Sequence, residues 1–128
     1  MTLEEAIRDE TKDGKLSCAA AFKVAQAQQV SPGEVGDLAD ELGIRISHCQ
    51  LGLFGYGPKA QGLHKVVQAA ETVSPELESA LQSRTRDGQI TCADLWAIAK
   101  KMSIPKMEAS AAAEKMGLRV IECQLHCF

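Results

Sequence analysis

The last seven residues of the chain, "ECQLHCF", hold three side chains that could bind a metal or carry out thiol chemistry. They are Cys123, His126 and Cys127. Thiolate and imidazole are ligands that zinc prefers, and Cys92 or His64 could supply a fourth. In a strand, however, Cys123 and Cys127 would point to one side and His126 to the other. The spacing therefore disfavours a shared metal ion unless the chain turns here.

The other cysteines occur at a repeated spacing. Cys18 and Cys49 are separated by the same interval as Cys92 and Cys123. One interpretation is a metal or thiol pair built once in each half of the chain. The other is four small apolar side chains in a core, which is a common role for free cysteine. Because the first half lacks a close cysteine knuckle, we favour packing and expect no cofactor.

Composition points to an ordinary folded protein. Hydrophobic residues make up 45% of the 128 residues and charged residues 24%, which fits one compact domain or two very small ones. No apolar run approaches the roughly 20 residues that cross a bilayer. The acidic start "MTLEEAIRDE" is unlike a secretory leader, and five cysteines are an odd number for a disulfide framework. We expect a cytoplasmic protein with no membrane partner.

The chain is an internal duplication. A shift of 74 residues lays Leu3 to Phe54 on Leu77 to Phe128 without a gap. The stretch "TKDGKLSC" falls on "TRDGQITC", and "CQLGLF" falls on "CQLHCF". Since sequence repeats adopt the same structural unit, both halves should share one fold. We refer to residues 1–55 as copy one and 75–128 as copy two, joined by a linker at 56–74.

Each copy is predicted to contain three helices followed by a strand. In copy one, apolar residues recur at helical spacing from Leu3. Ser17 precedes an alanine-rich run that its hydroxyl can cap, as Thr91 does in copy two. A third helix begins near Pro32 and ends at Gly43. The alternating "IRISHCQL" then predicts a short strand.

The two copies are expected to pack together. A unit of about 50 residues is marginal alone, so we predict a shared core and one pseudo-symmetric unit, for example through pairing of the two C-terminal strands. Leu63, Val66, Val67 and Ala70 predict a short amphipathic helix in the linker. The predicted fold is mainly α, with two tandem three-helix repeats that each end in a short β-strand.

The second helix, the turn and the third helix of each copy resemble the helix-turn-helix of bacterial transcription regulators. In copy one, residues 25–38 read "AQAQQVSPGEVGDL", with a small residue at Ala25 and apolar residues at Val30, Val35 and Leu38. With a helix before it and a strand after it, each copy is similar to a small winged-helix or tri-helical domain. The resemblance implies a regulator that binds double-stranded DNA.

Two departures from that family bear on DNA binding. Gln29 and Ser103 stand where the family usually has glycine in the turn. The positions that would face the major groove also lack arginine, asparagine and glutamine, which read base edges well. Those positions are Ser31, Pro32, Gly33, Gly36 and Asp37 in copy one, and Pro105, Lys106, Met107, Ser110 and Ala111 in copy two.

Charge distinguishes the two copies. The repeated segment 1–54 carries five basic against nine acidic residues, and its counterpart at 77–128 carries seven basic against six acidic. Because carboxylates repel phosphate, copy two is the better candidate to contact DNA, helped by the linker. The candidate residues are Lys59, Lys65, Lys100, Lys101, Lys106 and Lys115. The alternative is that these lysines form a solvated face.

These patterns favour a non-enzymatic regulatory protein. No nucleophile, base and acid occur together, and the three histidines are scattered. The leading expectation is DNA-binding transcriptional regulation through copy two. One alternative is a protein-interaction or dimerisation module that has lost DNA binding. A second is a small metal or thiol sensor built on Cys123, His126 and Cys127.

Overall fold

The computed structural model describes all 128 residues, and six α-helices supply most of the regular structure. The mainly helical character expected from the sequence is confirmed, and none of the helices has the length and apolarity to cross a membrane. Copy one contains α1 (Leu3–Glu10), β1 (Lys15–Ser17), α2 (Cys18–Gln28), α3 (Pro32–Glu41) and β2 (Arg45–Ser47). Copy two contains α4 (Pro75–Arg84), β3 (Gln89–Thr91), α5 (Cys92–Met102), α6 (Lys106–Lys115) and β4 (Arg119–Ile121).

Side-chain caps set the start of the second helix in both copies. The Ser17 hydroxyl accepts a hydrogen bond from the Ala20 N–H at 3.1 Å, and the Thr91 hydroxyl accepts one from the Asp94 N–H at 3.0 Å. Each bond satisfies an amide that has no partner inside the helix. Both predicted caps are therefore confirmed.

Each copy also holds a two-stranded parallel sheet, of which the sequence predicted only one strand. Leu16 of β1 pairs with Ile46 of β2, and Ile90 of β3 pairs with Val120 of β4. The suggested pairing of the two C-terminal strands with each other is wrong. β1 and β3 were missed because three residues are too short to show an alternating pattern, and the last of them serves as the helix cap.

The linker is not helical where an amphipathic helix was predicted. Its regular structure is a 3₁₀ turn at Lys59–Gln61. The N–H groups of Val66 and Val67 both donate to the Gly52 carbonyl, at 2.9 and 3.1 Å, and the Ala70 N–H donates to Ala111 of α6. Because these amides are bonded outside the segment, they are not available for the i to i−4 bonds of a helix.

The apolar core consists of two clusters, and each takes two side chains from the other copy. The cluster on α1 to α3 contains Cys123 and Leu125, and the cluster on α4 to α6 contains Cys49 and Leu51. Trp96 packs against both clusters. The segment after the last strand of each copy therefore crosses to its neighbour. We name these segments tail one, residues 48–54, and tail two, residues 122–128.

Candidate functional site

The centre of each helix face predicted to meet DNA lies under an exchanged tail, whereas Ser31, Asp37 and Pro105 on these faces are exposed. Ser110 of α6 is fully buried, and its hydroxyl donates to the Leu51 carbonyl of tail one at 2.7 Å. At the equivalent position of α3, a β-carbon on Gly36 would collide with the Leu125 carbonyl of tail two. DNA could reach the centre of either face only after these contacts had broken.

Each helix–tail contact pairs a glycine with a larger side chain. The glycine lies on the helix in one contact and on the tail in the other. Gly33 of α3 faces the imidazole of His126 in tail two. At the equivalent positions, Met107 of α6 faces Gly52 in tail one, where a β-carbon would lie 3.2 Å from the Met107 Cε. His126 Nδ1 also lies 3.0 Å from Asp37 Oδ1. Tail two therefore contacts α3 through an imidazole, whereas tail one contacts α6 through a methionine.

The three candidate metal ligands of tail two do not converge. The His126 ring contacts Asp37 of copy one. Cys123 is buried in the core of copy one, whereas Cys127 is exposed. No group of three histidine, cysteine, aspartate or glutamate side chains is arranged to hold a metal ion.

The four cysteines shared by the copies line a small apolar cavity between them. Burial raises the pKa of Cys18, and it raises the pKa of Cys92 to about 11, although each sulfur accepts a bond from a glutamine amide. Such thiols remain protonated and unreactive at neutral pH. The geometry supports the packing interpretation for Cys18 and Cys92. The lining consists of six equivalent pairs: Cys18 and Cys92, Phe22 and Trp96, Cys49 and Cys123, Gln50 and Gln124, Leu51 and Leu125, and Phe54 and Phe128.

Three of the six candidate lysines lie near the end of α5 and the start of α6. The Lys106 ammonium sits 4.5 Å from the centroid of the Trp96 ring, a cation–π contact. Lys100 and Lys106 line one groove together with that ring. Lys101 is exposed on the last turn of α5. This corner of copy two is basic and has an aromatic floor.

The remaining candidate lysines lie elsewhere. Lys65 forms an ion pair with Glu114, and Lys59 belongs to a different groove in the linker. Lys115 is exposed at the opposite end of α6 from Lys106, about 14 Å away along the helix axis. The six lysines therefore do not form a single stripe.

A groove of about 650 Å³ lies beside β4, at the boundary between the copies. Its charged rim consists of Lys65, Glu114 and Arg119. Because Lys65 pairs with Glu114, Arg119 is the rim cation without an ion pair. The apolar lining comes from both copies: Leu53, Phe54, Leu118, Val120 and Phe128.

The linker contacts the end of the equivalent strand, β2. The His48 N–H donates to the Gly55 carbonyl at 3.1 Å, and a β-carbon on Gly55 would lie 2.7 Å from the Ser47 Cα. The Tyr56 hydroxyl fixes this segment by donating to the Cys49 carbonyl at 2.6 Å. The bent segment 55–57 thus contacts the end of β2 and, with Arg45 and Ile46, lines a second groove. No backbone hydrogen bond joins the linker to the equivalent end of β4, which faces the groove described above.

Sequence reasoning missed both the exchanged tails and the groove. The glycine-rich "GYGPK" after Phe54 was a signal for close backbone approach. No protein-family model matches the chain, and no curated protein or solved structure matches it either. The features of the structure that bear on function are the buried helix faces and the groove beside β4.

Proposed function

We propose that the chain is a non-enzymatic protein-interaction module, built from two fused helix-turn-helix-like repeats that pack as one pseudo-symmetric unit. The observation that carries the proposal is the bond from Ser110 to Leu51, with its counterpart at Gly36 and Leu125. The centres of the helix faces that such repeats would offer to DNA are instead packed against the tails of the neighbouring copy. A surface that lies elsewhere must then carry recognition.

Two features support the repeat assignment and the packing. A three-residue turn follows α2 and α5, and Gln29 and Ser103 there share a left-handed conformation, with φ of 57° and 56°. Equivalent aromatic residues also meet each other across the boundary, as expected near a two-fold axis. The Phe22 and Trp96 rings are 4.3 Å apart, centroid to centroid.

The binding surface in this proposal is the groove beside β4. A partner segment would lie along β4 in an extended conformation. Addition of an extended segment at a sheet edge is a common mode of peptide recognition, because the main chain gives affinity and flanking pockets give selectivity. The close approach of the Gly55 backbone to the end of β2 in copy one supports a backbone contact at the equivalent place in copy two.

The lining defines the chemistry of the partner segment. Apolar side chains from both copies form the floor, and the cation at Arg119 lies on the rim. The segment should therefore carry two or three apolar side chains and a carboxylate placed to meet Arg119. A charged hydrogen bond of this type contributes about 1.5–3 kcal/mol when it is partly shielded from water.

A displayed library of random peptides tests this proposal. Peptides are selected on the wild-type chain and then measured on two matched variants, Arg119→Glu and Arg45→Glu. The two arginines are equivalent, and both are exposed, so each variant makes the same charge change on the same local structure. Arg119 lines the groove beside β4, and Arg45 lines the separate groove that includes linker residues.

We expect the selected peptides to share apolar residues and a carboxylate. Their affinity should fall at least tenfold in Arg119→Glu and stay unchanged in Arg45→Glu. Equal loss in both variants, or no enriched peptide, would overturn the groove as the binding surface. Reversible self-association abolished by Arg119→Glu would instead show that a second copy of the chain occupies it.

Duplex DNA binding through copy two is the second candidate, because Lys100 and Lys106 share one groove with Trp96. Phosphate contacts by such a corner predict an affinity that falls steeply with salt. Titration of a labelled duplex at low salt, with Lys106→Glu and with the distant Lys115→Glu as the matched control, tests it. Equal binding by the two variants, or no binding by the wild type, rejects this candidate.

A further inference from the structure

Tail two contains a thiol that has no counterpart in tail one. Cys123 is equivalent to Cys49, but Cys127 stands where copy one has Leu53. Cys127 is exposed and lines the rim of the groove beside β4, whereas Cys123 is buried in the core of copy one. One exposed and one buried thiol therefore lie four residues apart.

Hydrogen bonds close tail two into a tight loop. The Cys123 N–H donates to the Phe128 carbonyl at 3.1 Å, and the His126 N–H donates to the Cys123 carbonyl at 2.9 Å. These bonds hold residues 123 and 127 on opposite arms of a short loop. A disulfide needs its two α-carbons about 4.4–6.8 Å apart, a separation that such a closed loop allows.

The environment of the pair favours ionisation of one sulfur. A hydrogen bond from the Cys127 thiol lowers the pKa of Cys123 to about 6 and raises the pKa of Cys127. The Leu125 N–H also donates to the Cys123 Sγ at 3.4 Å. These contacts favour the thiolate on Cys123 and the protonated thiol on Cys127.

We propose that Cys123 and Cys127 form a dithiol that hydrogen peroxide oxidises to an intramolecular disulfide. The Cys123 thiolate attacks one peroxide oxygen, the O–O bond breaks, and hydroxide leaves with a sulfenic acid on Cys123. The Cys127 sulfur then attacks the Cys123 sulfur. An S–S bond forms, and the sulfenic oxygen leaves as water with the Cys127 proton.

The other thiols of the chain are poor competitors for the oxidant. Burial raises the pKa of Cys18 and Cys92, so that their reactive thiolate forms are scarce. Cys49 occupies the same loop position as Cys123, and its N–H donates to the Phe54 carbonyl at 3.2 Å. The residue equivalent to Cys127, however, is Leu53. Copy one is therefore an internal control in which the loop is present and the second thiol is absent.

Peptide mass analysis of the full chain tests this proposal directly. The reduced protein is treated with equimolar hydrogen peroxide, its remaining thiols are alkylated after denaturation, and it is cut with trypsin. Cleavage after Arg119 releases Val120–Phe128, which holds both cysteines of the pair and no other. We expect this peptide to be lighter by two hydrogen atoms and free of alkylation, while the other cysteines are alkylated.

Two variants separate the oxidation of Cys123 from the formation of the disulfide. Cys127→Ser should stop at a sulfenic acid on Cys123, which dimedone traps, and Cys123→Ser should give neither a disulfide nor an adduct on Cys127. Recovery of the wild-type peptide with both thiols alkylated would overturn the proposal. So would disulfide-linked dimers joined through Cys127, because they would show that the exposed thiol reacts between molecules.

Discussion

The hydroxyl of Ser110 in α6 donates a hydrogen bond of 2.7 Å to the carbonyl oxygen of Leu51, which belongs to the other copy. Both residues are fully buried. At the equivalent place, Gly36 of α3 lies against the Leu125 carbonyl. Each copy thus completes its neighbour, and the helix face that would read DNA becomes an internal contact.

Removing that hydroxyl should destabilise the protein. Ser110→Ala leaves the Leu51 carbonyl buried without a partner, which costs about 1–3 kcal/mol. Urea unfolding measures the change. Ser83→Ala is the matched control, since it also removes a helical hydroxyl that bonds a carbonyl, but at an exposed site. We expect the control to differ from wild type by less than about 0.5 kcal/mol; equal midpoints for Ser110→Ala and Ser83→Ala would count against the contact.

Two glycines of α3 should respond differently to the same substitution. Gly36→Ala forces a β-carbon into the backbone of tail two, and such overpacking costs about 1–3 kcal/mol. Gly33→Ala meets only the ring of His126, an exposed side chain that can turn away. Alanine also favours a helix over glycine by about 1 kcal/mol.

Thermal unfolding of both variants decides the point. Gly36→Ala should lower Tm by several degrees, because roughly 1 kcal/mol corresponds to about 4–8 °C in a small domain, while Gly33→Ala stays near wild type or above it. If Gly36→Ala were as stable as Gly33→Ala, tail two could not lie where the structure places it.

Trp96 should be a main source of stability between the copies. It packs against both core clusters, and its ring lies 4.3 Å from the Phe22 ring. Trp96→Ala should cost about 3 kcal/mol or more. Trp96→Phe installs the residue of copy one and should cost far less. Denaturant titration compares them, and a similar small loss in both would mean that the aromatic pair is peripheral.

The thiol pair predicts a pH dependence of stability. The pKa of Cys123 is about 6 in the folded chain against its usual 9.0, so between these values the unfolded chain binds more protons. Stability must then rise with pH across this window. Cys127→Ala removes the hydrogen bond that lowers this pKa, and the rise should shrink. The free energy of unfolding of the wild type and of the variant is measured at pH 6 and pH 8. The same change with pH in both proteins would contradict the lowered pKa of Cys123.

The sequence predicted the features that depend on local signals. The helix caps at Ser17 and Thr91 and the glycine-terminated third helices follow from residues within one turn of each helix end. The duplication was visible because identical residues such as Cys49 and Cys123 recur at a fixed interval. These features need no knowledge of the tertiary structure.

The exchange of the tails could not be predicted in this way. Leu51 would be buried equally well in the core of its own copy or in that of its neighbour, so the apolar pattern is the same for both arrangements. The prediction of a helix in the linker was wrong for a related reason. Its apolar spacing suits a helix, but bonds from Val66 and Val67 to Gly52 hold it extended. In both cases, contacts with residues far away in the sequence determined the conformation, and the local pattern does not reveal them.

Proton–proton contacts measured by NMR test the central claim most directly, because they report which copy each tail touches. The account predicts contacts between the α-protons of Gly36 and Leu125, and between Ser110 and Leu51. Contacts between Leu125 and Ser110, together with contacts between Leu51 and Gly36, would show that each tail packs on its own copy. That result would contradict the covered helix faces on which the proposed function rests.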